Sequence, residues 1–494
     1  MSYPPSQPEW VEPQPLDEQA AAVTEPAAQV EAPSKKKSKG PIIVAAVVVV
    51  ALVGAVVFAL NMLRGGSAVA AKGIPDTAIL VVDFNLKPAA GDQLALKNIA
   101  KKFPQVDTPD TADYKEAIWE LIPDAEDKPA YSEIEPWLGD TLAFGFLSNG
   151  SMEDGTPVIA VQVKDKGKAE AFVKAQDANV TPFFVDDVMV IAPAEAGLST
   201  DSLKGRSVAD NAEYKADISA LSGTHLATFW MSPRLMELGL KDIEQTSGLP
   251  AASIDQVRGM HGAAALQVSE NELTLRAITS MPNATMPDNL PDVTDFAAKL
   301  DGSAPFAYAG SAVEESYTQI WEQLSTAPEF GDSFGALGIT SASDLFAVFG
   351  TQMGITVSID DNAMPVIGAQ LTSPDPAKQK EIFDGILSMF ADSGMQVALE
   401  QRGETGVVAF GQSVDNVVNP AVKLGDVDAY KKAVQGKSLA VAFVNVDAIE
   451  ALPVFAQVPA EVSDWLKPIS AMGMTSTSNP SAKTAEGVFR VVFN

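Results

Sequence analysis

Cysteine is absent from the chain. That excludes disulfides, thiolate metal sites and a cysteine nucleophile, but not an oxidising location, because a large core holds without covalent staples. Histidine is almost absent too: His225 and His261 are the two in the chain. Cations are scarce, with 34 Lys and Arg against 64 Asp and Glu, for a formal net charge of −30. This balance argues against nucleic acid, whose phosphates need clustered Lys and Arg. No basic residue precedes Lys35.

What is present begins with a tail, Met1–Ser34, rich in Pro, Ala, Glu and Gln. It has too little apolar surface to offset the entropy of ordering and is predicted to be disordered. Trp10 is its one large apolar residue. Lys35, Lys36, Lys37 and Lys39 close this segment, residues 1–40. Ile42–Leu60 then holds no charged residue. As a helix it covers about 28 Å, close to a bilayer's hydrocarbon thickness. The spacing predicts one transmembrane helix over 41–63, in contact with the lipid bilayer. The lysines before it, with only Arg64 and Lys72 close behind, place the N-terminus in the cytoplasm and the C-terminal region outside the cell membrane.

A signal peptide cut after Ala70, within Ala68-Val69-Ala70, is the competing reading. The basic region starts too deep and the apolar run is too long for it. Ala51, Ala55 and Ala59, with Gly54 beside them, would let two helices approach in a homodimer; ordinary Ala-rich filler is the plainer account. Residues 64–73 read as a short flexible stalk.

Strand and helix patterns alternate through 74–281 and again through 292–494, with a proline-rich break at Met281–Pro291. Pro157-Val158-Ile159 with Gln162 matches Pro365-Val366-Ile367 with Gln370, and Tyr214-Lys215 matches Tyr430-Lys431. The matched positions lie about 210 residues apart. The expected fold class is therefore α+β: an extracytoplasmic region of two duplicated units, each an antiparallel sheet with helices on one face.

Three motifs carry a family resemblance: Ile74-Pro75-Asp76-Thr77-Ala78, Trp137-Leu138-Gly139-Asp140, and Asp210-Asn211-Ala212-Glu213-Tyr214-Lys215. In this order they resemble the bacterial DUF3352 family, membrane-anchored envelope proteins. The likeness covers most of Ile74–Asn494 and is clearest in the first half. It implies location and architecture and carries no activity.

Catalytic sets are incomplete. Gly331-Asp332-Ser333-Phe334-Gly335 fits the G-x-S-x-G nucleophile elbow, but no histidine follows Ser333 to take its proton. Two histidines alone lack the further ligand a metal site requires. Asp186-Asp187 and Asp360-Asp361-Asn362 sit between apolar strands, where such residues serve turns. No catalytic, metal-binding or cofactor-binding residue is assigned. The expected function is a non-catalytic, membrane-anchored envelope protein binding an unidentified protein, glycan or lipid outside the membrane. One version encloses a lipid in a cavity lined by Leu142, Phe144 and Phe146. The alternative is an extracytoplasmic, hydrolase-like enzyme using Ser333 or the acidic pairs.

Overall fold

The computed structural model describes residues 69–494 apart from 106–112, 121–128, 149, 151–154, 177–181, 247–250, 326–333 and 391–395. The transmembrane segment read at 41–63 lies outside the described residues. Among those residues no helix is long and apolar enough to cross a membrane.

Sixteen strands form the frame. The first eight are β1 (Ala78–Asn85), β2 (Leu138–Ser148), β3 (Gly155–Val163), β4 (Phe183–Val185), β5 (Val188–Ile191), β6 (Ala227–Met231), β7 (His261–Ser269) and β8 (Glu272–Ser280). The next eight are β9 (Phe306–Ser311), β10 (Gln352–Ile359), β11 (Pro365–Thr372), β12 (Val397–Arg402), β13 (Thr405–Phe410), β14 (Ala440–Asn445), β15 (Ile469–Asn479) and β16 (Thr484–Phe493). All join one sheet, in the order β4-β5-β3-β2-β1-β6-β7-β8-β16-β15-β14-β9-β10-β11-β13-β12. Every pairing is antiparallel.

This corrects the expected fold class. There are not two sheets in separate units but one sixteen-stranded sheet, closed at its middle by the β8–β16 ladder. The strand order reads alike inward from either edge, β1 to β8 standing where β9 to β16 stand. At the junction Arg276 faces Val488. Ile278 pairs with Ala263 and Arg490 with Gly473, matching positions on the two sides. Arg276 therefore faces its own counterpart, and a local two-fold axis passes between them. Arg276 Nη2 binds Glu486 Oε1 across the ladder at 2.7 Å.

Helices cover both faces rather than one. On the first, the helix Ala212–Ala220 lies over β6, β7 and β8, and Asp428–Ala433 lies over β14, β15 and β16. Their cores centre on Trp230 and Phe443. This is the closed face. On the other, Ile99 and Phe103 meet Val446 and Leu466 above Val82, Leu266, Met472 and Phe493. Further out, Lys166–Gln176 packs over β3 and β5, and Ala342–Phe349 with Pro376–Phe390 over β10, β11 and β13.

Two local differences follow from packing. Phe346–Phe349 is an unbroken apolar run, a pattern that also suits a buried strand, but it is helical, because Ser341 caps the helix Ala342–Phe349 by accepting from the Asp344 backbone N–H. Gly350 ends it at φ +74°, with the Thr372 carbonyl oxygen 2.0 Å from where a Cβ would stand. Ser341→Ala is expected to cost about 1 kcal/mol, read as a midpoint shift in denaturant. The end of the presumed stalk is also different. Ala70–Gly73 forms a 3₁₀ turn with Ala70 and Ala71 fully buried. Cutting after Ala70 would leave a charged amino group where water is excluded, which opposes the cleavage reading.

Candidate functional site

The face opposite Trp230 is only partly covered. Across six neighbouring strands the register sets Leu275, Phe489, Met474, Ala442, Tyr308 and Ile355 in one row. Leu275 is 37 % exposed and Met474 49 % exposed, and the other four are half-buried. A second row runs beside it through Phe229, Ala264, Ala277, Gly487, Ser476 and Ala440. A Cβ built on Gly487 would meet nothing within 4 Å, so the space above it is open. Phe144 and Leu80 extend the exposed apolar surface on the β1–β2 side. Phe144 sets its ring edge-on to Phe84, with centroids 5.7 Å apart.

The closed face holds the second feature, a run of buried polar groups. Asp83 on β1 lies opposite Thr228 on β6 and is 1 % exposed. Tyr214 packs edge-on to Trp230, ring centroids 5.4 Å apart. Trp230 Nε1 donates to Asp217 Oδ2 at 2.9 Å, and His261 Nδ1 lies 2.7 Å from the same oxygen. Burial holds the Asp83 carboxyl well above the usual carboxylate range, against the lowering effect of the Phe84 backbone and the Tyr214 hydroxyl. Neither Asp83 oxygen nor the Tyr214 hydroxyl closes a well-formed hydrogen bond. The Asp217 hydrogen bond raises the pKa of His261, and burial works against it. With Nδ1–H directed at Asp217, Nε2 is the position left to accept a proton.

The matching region of the second half is apolar. Tyr430 meets Phe443 with centroids 5.3 Å apart, at the same 82° as Tyr214 on Trp230. Lys215 Nζ donates to the Asp210 carbonyl and Lys431 Nζ to the Asp426 carbonyl, at 3.2 and 3.3 Å. By register, however, Asp83, Asp217 and His261 correspond to Ala309, Ala433 and Ala471. The backbone arrangement is thus built once with these polar groups and once without them.

The residues weighed in the sequence do not converge. Ser333 lies outside the described residues. His225 and His261 lie at opposite ends of the β6–β7 pair, and His225 Nε2 contacts the Ser222 carbonyl oxygen at 3.2 Å. Asp186 has φ +49° in the β4–β5 turn, and Asp187 accepts from Gln162 Nε2. Asp360 Oδ1 accepts the backbone N–H groups of Asn362 and Met364. Among the described residues no group of three His, Asp or Glu is placed to hold a metal. Sequence reasoning missed Asp217, which reads as a solvent-facing helix residue, and the exposed row, whose members are distant in the chain.

Two depressions among the described residues are open to solvent. One of about 360 Å³ lies by Lys102, Asp464 and Asn494; the other, about 510 Å³, lies by Asp255, Arg258 and Asn283. Neither borders Leu142, Phe144 or Phe146.

No protein-family model matches the chain, and no curated protein matches it. Among solved structures, crystal form III of TP0453 aligns at a TM-score of 0.22 and 9% identity, covering 44% of this chain and 81% of that one. Crystal form I of TP0453 aligns at 0.21 and 10%, covering 45% and 82%. Similarity at this level carries no inference about fold or function.

Proposed function

We propose that the chain is a membrane-anchored extracytoplasmic binding protein without catalytic activity, and that the open apolar face is its ligand surface. The anchor reading rests on the uncharged run Ile42–Leu60 and the lysines before it. Eight residues, 61–68, separate that run from Val69, the first residue described. The motif likeness to the DUF3352 family points to the same location.

One observation carries the binding reading: the row from Leu275 to Ile355. Single exposed apolar residues need no explanation, whereas a contiguous patch on a sheet marks an interaction surface. Two measurements test the two parts. Protease added to intact cells should digest residues 69–494 and spare 1–40; the reverse pattern would invert the orientation. Leu275→Asp with Met474→Asp should lower native-state binding of an apolar dye several-fold, with far-UV circular dichroism unchanged. Equal dye binding would remove the face from consideration.

A second reading, an extracytoplasmic hydrolase, has the Asp217–His261 pair in its favour, because an anchored Nδ1 leaves Nε2 as a base. It requires a turnover that His261→Ala abolishes. Unchanged turnover in that variant would dismiss it.

A further inference from the structure

We propose that the open face binds one extended acyl chain of a membrane lipid, laid across the strands between Phe229 on β6 and Tyr308 on β9. This deepens the binding reading, and it rests on the anchor only for the source of the lipid. The occupant is argued from shape, position and charge.

Shape comes first. Ala264, Ala277, Gly487, Ser476 and Ala440 lie side by side on β7, β8, β16, β15 and β14. Leu275, Phe489 and Met474 stand along one side of them, one row further along the strands. With strands about 4.8 Å apart this trough runs about 19 Å. One leaflet's acyl chain spans about 15 Å, half the hydrocarbon thickness, so a single chain fits lengthwise with its head beyond one end. None of these eight residues is ionisable, and the space above Gly487 is empty.

Position and charge choose the occupant. On the anchor reading the apolar run ends at Leu60, eight residues before Val69, the first residue described, and so tethers the fold to a bilayer. Lipid is thus the apolar molecule at highest local concentration. The net charge of −30 repels anionic head groups and favours neutral or zwitterionic ones.

The test uses the full chain reconstituted in phosphatidylcholine vesicles containing a phosphatidylcholine with a photoactivatable diazirine on its acyl chain. After illumination and digestion, adducts are expected on peptides covering 272–280 and 469–493, besides those on 42–60. Gly487→Phe puts a ring into the trough at a position where a Cβ meets nothing within 4 Å. It should cut the first set about ten-fold and leave the 42–60 adducts unchanged. Met474→Asp should act the same way. Adducts on 42–60 alone would overturn the proposal. So would chain-to-chain crosslinks across the trough, which would make a second copy its occupant, and so would equal labelling in Gly487→Phe. If the chain does not sediment with vesicles, the anchor reading has failed. The same probe given in detergent micelles then decides the trough alone: adducts on 272–280 support it and their absence ends it.

Discussion

Replacing Asp83 by Asn should make the fold more stable, and the gain should widen as pH rises above about 4. Asp83 is 1 % exposed, and burial raises its carboxyl pKa. In the unfolded chain the same carboxyl ionises near pH 3.9. Between that pH and the folded pKa, folding takes up a proton, so the contribution of Asp83 to stability is fullest below about 3.9 and is lost as pH rises through the folded pKa, by up to about 1.4 kcal/mol per pH unit. Asn keeps the shape and cannot ionise, which removes this slope. Denaturant midpoints of both proteins from pH 4 to pH 8 give the comparison. Parallel curves would show that Asp83 does not share in the folding protonation.

The second large effect concerns Asp217. Asp217→Ala leaves the Trp230 indole N–H, at a residue 1 % exposed, with no acceptor and takes the partner from His261. A cost of about 2–4 kcal/mol is expected, from an unsatisfied buried donor and lost packing. Part of it depends on pH. The raised pKa of His261 means that its pairing stabilises fully below about pH 6.5 and less as pH rises through the folded value. The second half of the chain supplies the control, with Ala433, Phe443 and Ala471 in the matching places. Adding Trp230→Phe and His261→Ala to Asp217→Ala removes the orphaned groups. The triple variant should be no less stable than the single one, although more side chain is gone. Costs that simply add would mean that the three groups do not act as a set.

Much of the local architecture was readable from residue patterns. The β7–β8 hairpin, the β4–β5 turn at Asp186-Asp187 and the two Tyr-Lys helices all follow from alternation and turn chemistry. The joining of the sheet was not readable. Glu272–Ser280 alternates polar and apolar residues whether its far side is solvent or β16, and only the fold supplies that partner. Ala70–Gly73 looked like linker because its residues are small. They are small because a Cβ on Gly73 would stand 2.7 Å from Ala160 Cβ. The polar run was hidden for a similar reason. Asp217 sits among Ala, Lys and Ser, and its partners lie 13 and 44 residues away. The exposed row draws its six members from six strands, so no window of sequence displays it.

The β8–β16 ladder bears on how the chain must be made. β8 is complete at Ser280, but β16 begins at Thr484, roughly 200 residues later. At translation speeds of about 5–20 residues per second, the outer rim of β8 waits at least about ten seconds for its mate. Through that interval the free edge of the nine-residue β8, where alternate residues present unpaired amides and carbonyls, stands ready to add a strand from another nascent copy. Holding it apart until the last strand emerges is a task for a chaperone or for the timing of synthesis.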